Sequence, residues 1–138
     1  MAPRESTSSP FSLSLDLSTG VPAYRQIIDQ ILGAIAVGAL KGGAQLPTVR
    51  QAAVDLSINP NTVVRAYREL EIRGVLSTQQ GIGTFVTSQP VRIDEAARQR
   101  QLDQIVSDVM ARAGAAGVTG DELLARLRDF LADQGRNS

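Results

Sequence analysis

The residues best suited to chemistry in this chain are polar side chains that a predicted helix places on one face. Asn61, Arg65 and Arg68 follow the spacing i, i+4 and i+7, which brings them to the same side of a helix. An asparagine amide can pair with an adenine edge, and an arginine can bind a guanine edge or a phosphate. These residue types therefore indicate recognition of a nucleic acid by hydrogen bonding.

Residues around this face extend the same interpretation. Thr62 and Val64 border it, and Val64 is suited to contact with a thymine methyl group. Arg50 lies near the start of the preceding predicted helix, where it can meet the DNA backbone or a guanine, and Thr48 stands two residues before it. Taken alone, the pattern fits solvated surface better, because any amphipathic helix turns polar residues outward.

Composition argues against an enzyme and against a metal site. The 138 residues include no histidine and no cysteine, the usual ligands of zinc and other transition metals. Lys41 is the only lysine, and no paired-carboxylate motif or nucleophile elbow is visible. We expect no cofactor. The lack of cysteine and of a long apolar run predicts a cytoplasmic protein without a membrane span.

Charge does not by itself indicate DNA binding. Fourteen basic residues balance 14 acidic ones. Between residues 45 and 90 there are four arginines against three acidic residues, so this segment has an excess of only one positive charge. The near-neutral balance keeps open a module that contacts a protein or RNA instead of duplex DNA.

The order of predicted elements is the stronger signal. Phe11, Leu13, Leu15 and Leu17 alternate with polar residues, which predicts an extended arm after a disordered start. An apolar stripe predicts a first helix to about Val37, Thr48 caps a short second helix, and Asn59-Pro60 begins a third that stops at Gly74. Residues 75–79 and 83–87 then predict a β-hairpin.

These elements predict a mainly α chain with a small hairpin, in which a winged helix-turn-helix precedes a two-helix tail. We place the arm at residues 1–17, the DNA-binding domain at 18–90 and the tail at 91–138. The hairpin is the wing, and Gln80, Gly81 and Gly83 at its tip are candidates for contact with the minor groove or phosphates. A plain hairpin turn is the alternative.

The tail carries two apolar stripes at helical spacing, and two short helices cannot enclose a core by themselves. The stripes must pack on the first domain or on a second copy of the tail, and we favour the second copy. The predicted dimer interface comprises Leu102, Ile105, Val109, Leu123, Leu127 and Phe130.

Four motifs in register resemble the GntR family of bacterial regulators. They are Pro22-Ala-Tyr-Arg-Gln-Ile, Leu46-Pro-Thr-Val-Arg50-Gln, Asn59-Pro-Asn-Thr-Val63 and Gln80-Gly-Ile-Gly-Thr-Phe-Val86. The third motif and the short tail look like its YtrA-like subfamily. The resemblance implies a homodimeric repressor that binds operator DNA through Arg50, the start of the third helix and the wing tip at Gly81.

The sequence departs from many relatives of that family within the third helix. Pro60 and Val64 occupy positions where those relatives carry arginine, so Asn61, Thr62 and Arg65 are the predicted substitutes. The resemblance names no effector. A 48-residue tail has no room for a standard ligand pocket within one subunit, so an unidentified small-molecule effector would have to bind between subunits.

Overall fold

The computed structural model describes residues 11–88 and 94–136. The chain divides into two compact units, with the division between residues 89 and 90. The predicted disorder of residues 1–10 and the predicted boundary at residues 90 and 91 lie outside the described residues. The predicted fold class is confirmed: the elements are mostly helices, with one two-stranded antiparallel hairpin.

Three helices build the first unit: α1 (Ala23–Ala36), α2 (Val49–Leu56) and α3 (Pro60–Ile72). Their apolar stripes meet in one core, although Tyr24 and Ile35 of the α1 stripe are only partly buried. Ile27, Ile31, Val63 and Leu70 have no accessible surface. Because this core fixes α3 by one face, the opposite face of α3 is left toward solvent.

The predicted helix starts are confirmed, although their hydrogen bonds differ in detail. The Thr48 hydroxyl oxygen accepts from the backbone N–H of Gln51 at 3.0 Å, but the Gln51 side chain donates to Asp55 and does not complete a capping box. The Asn59 carboxamide oxygen accepts from the N–H of Asn61 at 2.8 Å and so caps α3. Ser57, in the turn between α2 and α3, has a left-handed backbone with φ 57°.

The arm packs on α1 through both side chains and backbone. Its apolar residues Phe11, Leu13 and Leu15 pack on the core. The side-chain amide of Gln30 bonds both backbone groups of Ser14, and that of Gln26 bonds both backbone groups of Asp16. The two glutamine side chains thus pair with the backbone of the arm, as a neighbouring strand does in a β-sheet.

The hairpin follows α3 directly and consists of β1 (Leu76–Gln79) and β2 (Gly83–Val86). The strands are antiparallel, with Leu76 opposite Val86 and Gln79 opposite Gly83. Leu76 and Val86 are buried and attach the base of the hairpin to the core. The tip is left exposed at residues 80–82.

The second unit is a helical hairpin of α4 (Glu95–Ala115) and α5 (Gly120–Arg136). Thr119 and Glu122 form a capping box at its turn, with hydrogen bonds in both directions. The Thr119 hydroxyl accepts from the N–H of Glu122 at 3.1 Å, and the Glu122 carboxylate accepts from the N–H of Thr119 at 2.8 Å. A Cβ at Gly120 would come within 2.9 Å of the Met110 methyl group, so the flexible end of the Met110 side chain packs against the start of α5.

Candidate nucleic-acid interface

The orientation of α3 is set by its buried face. Val63, Ala66 and Leu70 are fully buried, and Tyr67 is 4% exposed. The Tyr67 hydroxyl donates to the backbone carbonyl of Pro47 at 2.7 Å, which ties α3 to the segment just before α2. Burial raises the pKa of Tyr67, so the phenol stays protonated and remains a donor. This buried face fixes the rotation of α3 about its own axis.

The exposed face of α3 brings together the residues that helical spacing predicted. Asn61, Arg65 and Arg68 line one open depression with Val64, Glu69 and Ile72. Asn61 and Arg65 also border a second depression with Thr62, on the side facing the start of α1. An amide, a methyl-bearing hydroxyl and two guanidinium groups therefore share one solvent-facing surface, which offers both donors and acceptors.

The arginines on this surface are not engaged in ion pairs. Within residues 11–88 and 94–133, the side chains of Arg50, Arg65 and Arg68 have neither a salt bridge nor a hydrogen bond to a protein group. Arg73 differs, because its guanidinium lies 3.2 Å from the Glu69 carboxylate. Three solvent-facing cations without an internal anionic partner favour binding of an external anion.

One contact of this surface was not predicted from the sequence. The guanidinium carbon of Arg65 lies 3.7 Å from the centroid of the Tyr24 ring, which is the geometry of a cation–π interaction. Tyr24 belongs to the first turn of α1 and is half-buried against the core. Sequence spacing could not reveal this pair, because it depends on how α1 and α3 pack.

The first turn of α2 adds Thr48 and Arg50. Arg50 is exposed there. The Thr48 oxygen caps α2, and this use of one lone pair leaves the hydroxyl hydrogen able to donate. Thr48 therefore has a structural role that is compatible with contact to a ligand.

The tip of the wing presents Gln80, Gly81 and Ile82 to solvent. Gly81 has φ 80° and Gly83 has φ 151°, backbone conformations that favour glycine. A Cβ at Gly83 would also meet the amide nitrogen of Gln45, which itself donates to the carbonyl oxygen of Ile82 at 3.3 Å. The backbone conformation of Gly83 is therefore the main reason for glycine there, and Gln45 is a support of the wing that the sequence did not indicate.

The wing is also joined to α3 by a side-chain hydrogen bond. The hydroxyl of Thr78 in β1 donates to the carboxylate of Glu71 near the end of α3. Thr78 and Thr84 face each other across the hairpin with their hydroxyl oxygens 3.2 Å apart. These contacts connect the wing to the helix whose exposed face carries the arginines.

The proposed interface residues of the tail remain largely accessible in the single chain. Leu102, Leu127 and Phe130 are about half exposed, at 50%, 50% and 49%, and Ile105 is 57% exposed. Val109 is 39% exposed and Leu123 is half-buried. Among the described residues of the tail, Ala113 alone is buried. The two helices therefore have apolar surface without an internal core to cover it.

Other classes of site find no support in the described segments. Residues 11–88 and 94–136 bring no group of three or more acidic, histidine or cysteine side chains together as a metal site. In the same segments, no helix combines the length and hydropathy needed for a membrane span.

Comparison with known proteins gives a consistent result. The sequence profile described as "Bacterial regulatory proteins, gntR family" matches residues 23–86. The HTH-type transcriptional repressor YtrA of Bacillus subtilis (strain 168) is 31% identical over 121 residues, which cover 88% of this chain and 93% of the repressor.

Two solved structures are similar over most of their length. The transcriptional antiterminator from Listeria monocytogenes EGD-e has a TM-score of 0.68 at 25% identity, covering 91% of this chain and 94% of that chain. YtrA from Sulfolobus acidocaldarius, a GntR-family transcription factor, has a TM-score of 0.52 at 34% identity, covering 70% of this chain and 94% of that chain.

Proposed function

Because the chain belongs to the GntR family of bacterial regulatory proteins, as a DNA-binding transcription regulator with YtrA-like relatives, we propose that it is a repressor that binds a two-fold symmetric operator as a homodimer. The observation that carries this proposal is the exposed face of α3, where Asn61, Arg65 and Arg68 line one depression without internal ion pairs. The name of the Bacillus subtilis relative supports repression as the direction of control.

In this proposal α3 enters the major groove and presents its first turn to the bases. Asn61 pairs with an adenine edge, while Val64 contacts a thymine methyl. Thr62, Arg65 and Arg68 complete the contacts from α3, and Thr48 and Arg50 add contacts from the start of α2. The wing lays the exposed Gln80 and the backbone at Gly81 along the minor groove or its phosphates, with Gly83 shaping the tip.

Near-neutral total charge is compatible with this role, since three exposed arginines lie on the surface that would meet DNA. Arg50, Arg65 and Arg68 are exposed and unpaired among the described residues, whereas Arg73 is neutralised by Glu69. Phosphate contacts depend on local cations, because salt screens charges beyond about 10 Å.

The second part of the proposal is that the tail joins two subunits. Its two stripes expose large apolar side chains from both α4 and α5, and a second copy of the same hairpin would cover them. Two linked subunits bind two half-sites, which strengthens binding through the high effective concentration of the second subunit. An effector, where one is sensed, would bind between subunits. The protein would act in the cytoplasm, where bacterial operators are found.

The experiment is a selection of duplex sites from a random DNA library with the purified protein. The proposal predicts enrichment of a palindromic site and a dissociation constant that rises steeply with salt, because phosphate contacts release counterions. Enrichment of a single asymmetric half-site would contradict the homodimer. No enrichment of any duplex would contradict the function and favour contact with protein or RNA.

A further inference from the structure

The stacking of Arg65 on Tyr24 joins a helix of the core, α1, to the helix proposed to bind DNA, α3. Tyr24 lies in the first turn of α1, whereas Arg65 lies in α3 on the surface proposed to face DNA. The guanidinium carbon is 3.7 Å from the ring centroid. This distance places the cation in direct contact with the ring and well inside the limit of about 6 Å for a cation–π interaction.

The stack covers one face of the guanidinium and leaves its donors open. The N–H groups of an arginine lie in the plane of the guanidinium, so a ring against its face does not block them. The Arg65 side chain donates to no protein group among residues 11–88 and 94–133, so its N–H groups are available to a ligand. Because the ring already restricts the side chain, less rotational freedom is lost when a ligand binds.

The stack also sets the direction in which Arg65 points. The depression around it is bordered by Ala23 and Tyr24 on one side and by Asn59 and Thr62 on the other. The guanidinium is therefore held at the side of α3 that faces the start of α1. It does not extend straight outward from the helix axis. A bidentate contact with guanine needs an arginine that extends to the base edges. An arginine at the flank of a recognition helix instead meets the walls of the groove, where the phosphates lie.

We propose that Tyr24 is a positioning residue that holds Arg65 for binding to a DNA phosphate. This inference rests on the proposed function and assigns Arg65 to anchoring, which leaves base recognition on α3 to Asn61 and Val64. Arg65 is the only cation within residues 60–66, the first two turns of α3. The contact with Tyr24 thus directs Arg65 to the DNA backbone and not to the bases.

The test uses the full-length chain and the labelled duplex selected by the wild-type protein, together with single-base variants of that duplex. Four proteins are compared with wild type over a salt series: Tyr24→Phe, Tyr24→Leu, Arg65→Ala and the double variant Tyr24→Leu/Arg65→Ala. Tyr24→Phe keeps the aromatic ring and should bind within about twofold of wild type. Tyr24→Leu removes the ring and should lose about two- to fivefold in affinity.

Arg65→Ala should weaken binding to every duplex in the panel by the same factor. Its plot of log affinity against log salt should be shallower by about 0.9 for each bound subunit. In the double variant the loss should equal that of Arg65→Ala alone, because the ring acts only through the arginine.

Several results would overturn the inference. A change of preference at one base position in Arg65→Ala, with the salt slope unchanged, would make Arg65 a base reader. Equal losses in Tyr24→Phe and Tyr24→Leu would assign the effect to the tyrosine hydroxyl. Additive losses in the double variant would show that the two residues act independently.

Folding is checked by circular dichroism and thermal melting, since Tyr24 also packs on the core. Where Tyr24→Leu is unfolded, Arg65→Lys decides, because lysine keeps the charge without the planar stacking group. Arg65→Lys should lose about two- to fivefold while keeping the salt slope, and wild-type affinity would overturn the inference. Weaker binding by Arg50→Ala and Asn61→Ala, with Arg65→Ala unaffected, would refute this inference and leave the proposed function intact. Failure of the wild type to select any duplex would refute both.

Discussion

Phe130→Ala tests the proposed subunit contact at its largest apolar side chain. The Phe130 side chain is 49% exposed in the single chain. A phenylalanine buries roughly 150–250 Å² in total, so about 100 Å² would become covered on association. At about 25 cal/mol per Å², and with part of the area kept by alanine, each copy loses about 2 kcal/mol. A symmetric dimer contains two copies, so its dissociation constant should rise roughly thousandfold.

Analytical ultracentrifugation over a range of concentrations measures this change directly. Leu17→Ala is the matched control, because Leu17 is an exposed leucine of the first unit at 79% exposure and lies outside the proposed contact. The control should associate as wild type does, and both variants should keep the helical signal of the wild type. A wild type that is monomeric at micromolar concentration, or a Phe130→Ala dimer as tight as wild type, would refute the reasoning.

Three further changes test individual parts of the account. Arg50→Ala should weaken operator binding by roughly 1–3 kcal/mol and leave the melting temperature unchanged, because the side chain is exposed; unfolding with unchanged affinity per folded molecule would make it structural. Asn59→Ala should lower the free energy of unfolding by about 0.5–2 kcal/mol in denaturant titrations, because it removes the cap of α3, and an unchanged value would show that the cap is dispensable. Hydrogen bonds from Thr119 lower the pKa of the Glu122 carboxylate, so its contribution to stability is present above the unfolded pKa and is lost as pH falls through the lower, folded value. Glu122→Gln should therefore lose less free energy of unfolding than wild type as pH falls through this range. The same loss in the variant and in wild type would contradict this role.

The sequence predicted the elements of the first unit because each has a local cause. The apolar stripe of α1 repeats at helical spacing and is buried at Ile27 and Ile31. Asn59 and Pro60 specify the start of α3 by their own chemistry, as a cap and a fixed φ. The hairpin follows from glycines in the wing turn, where Gly81 adopts positive φ. Such features are encoded within a few residues of one another.

The missed features depend on contacts between distant segments. Tyr24 and Arg65 are about forty residues apart, and their stack exists only because α1 packs beside α3. Gln45 supports the wing through a hydrogen bond to Ile82, and no periodicity links those positions. The apolar stripes of the tail likewise predict that another surface covers them. They do not identify that surface, because it lies outside the local sequence, so a measurement of association is needed.

The most direct test of the central claim compares Asn61→Ala with Arg68→Ala on a panel of single-base operator variants at several salt concentrations. Both side chains lie on the exposed face of α3, so both proteins should fold as wild type does. Asn61→Ala should relax preference at one base position in each half-site and leave the salt slope unchanged. Arg68→Ala should lower affinity uniformly across the panel and make the salt slope shallower, as expected for a phosphate contact. Wild-type affinity, preference and salt slope in both variants would contradict the claim that this face of α3 reads DNA.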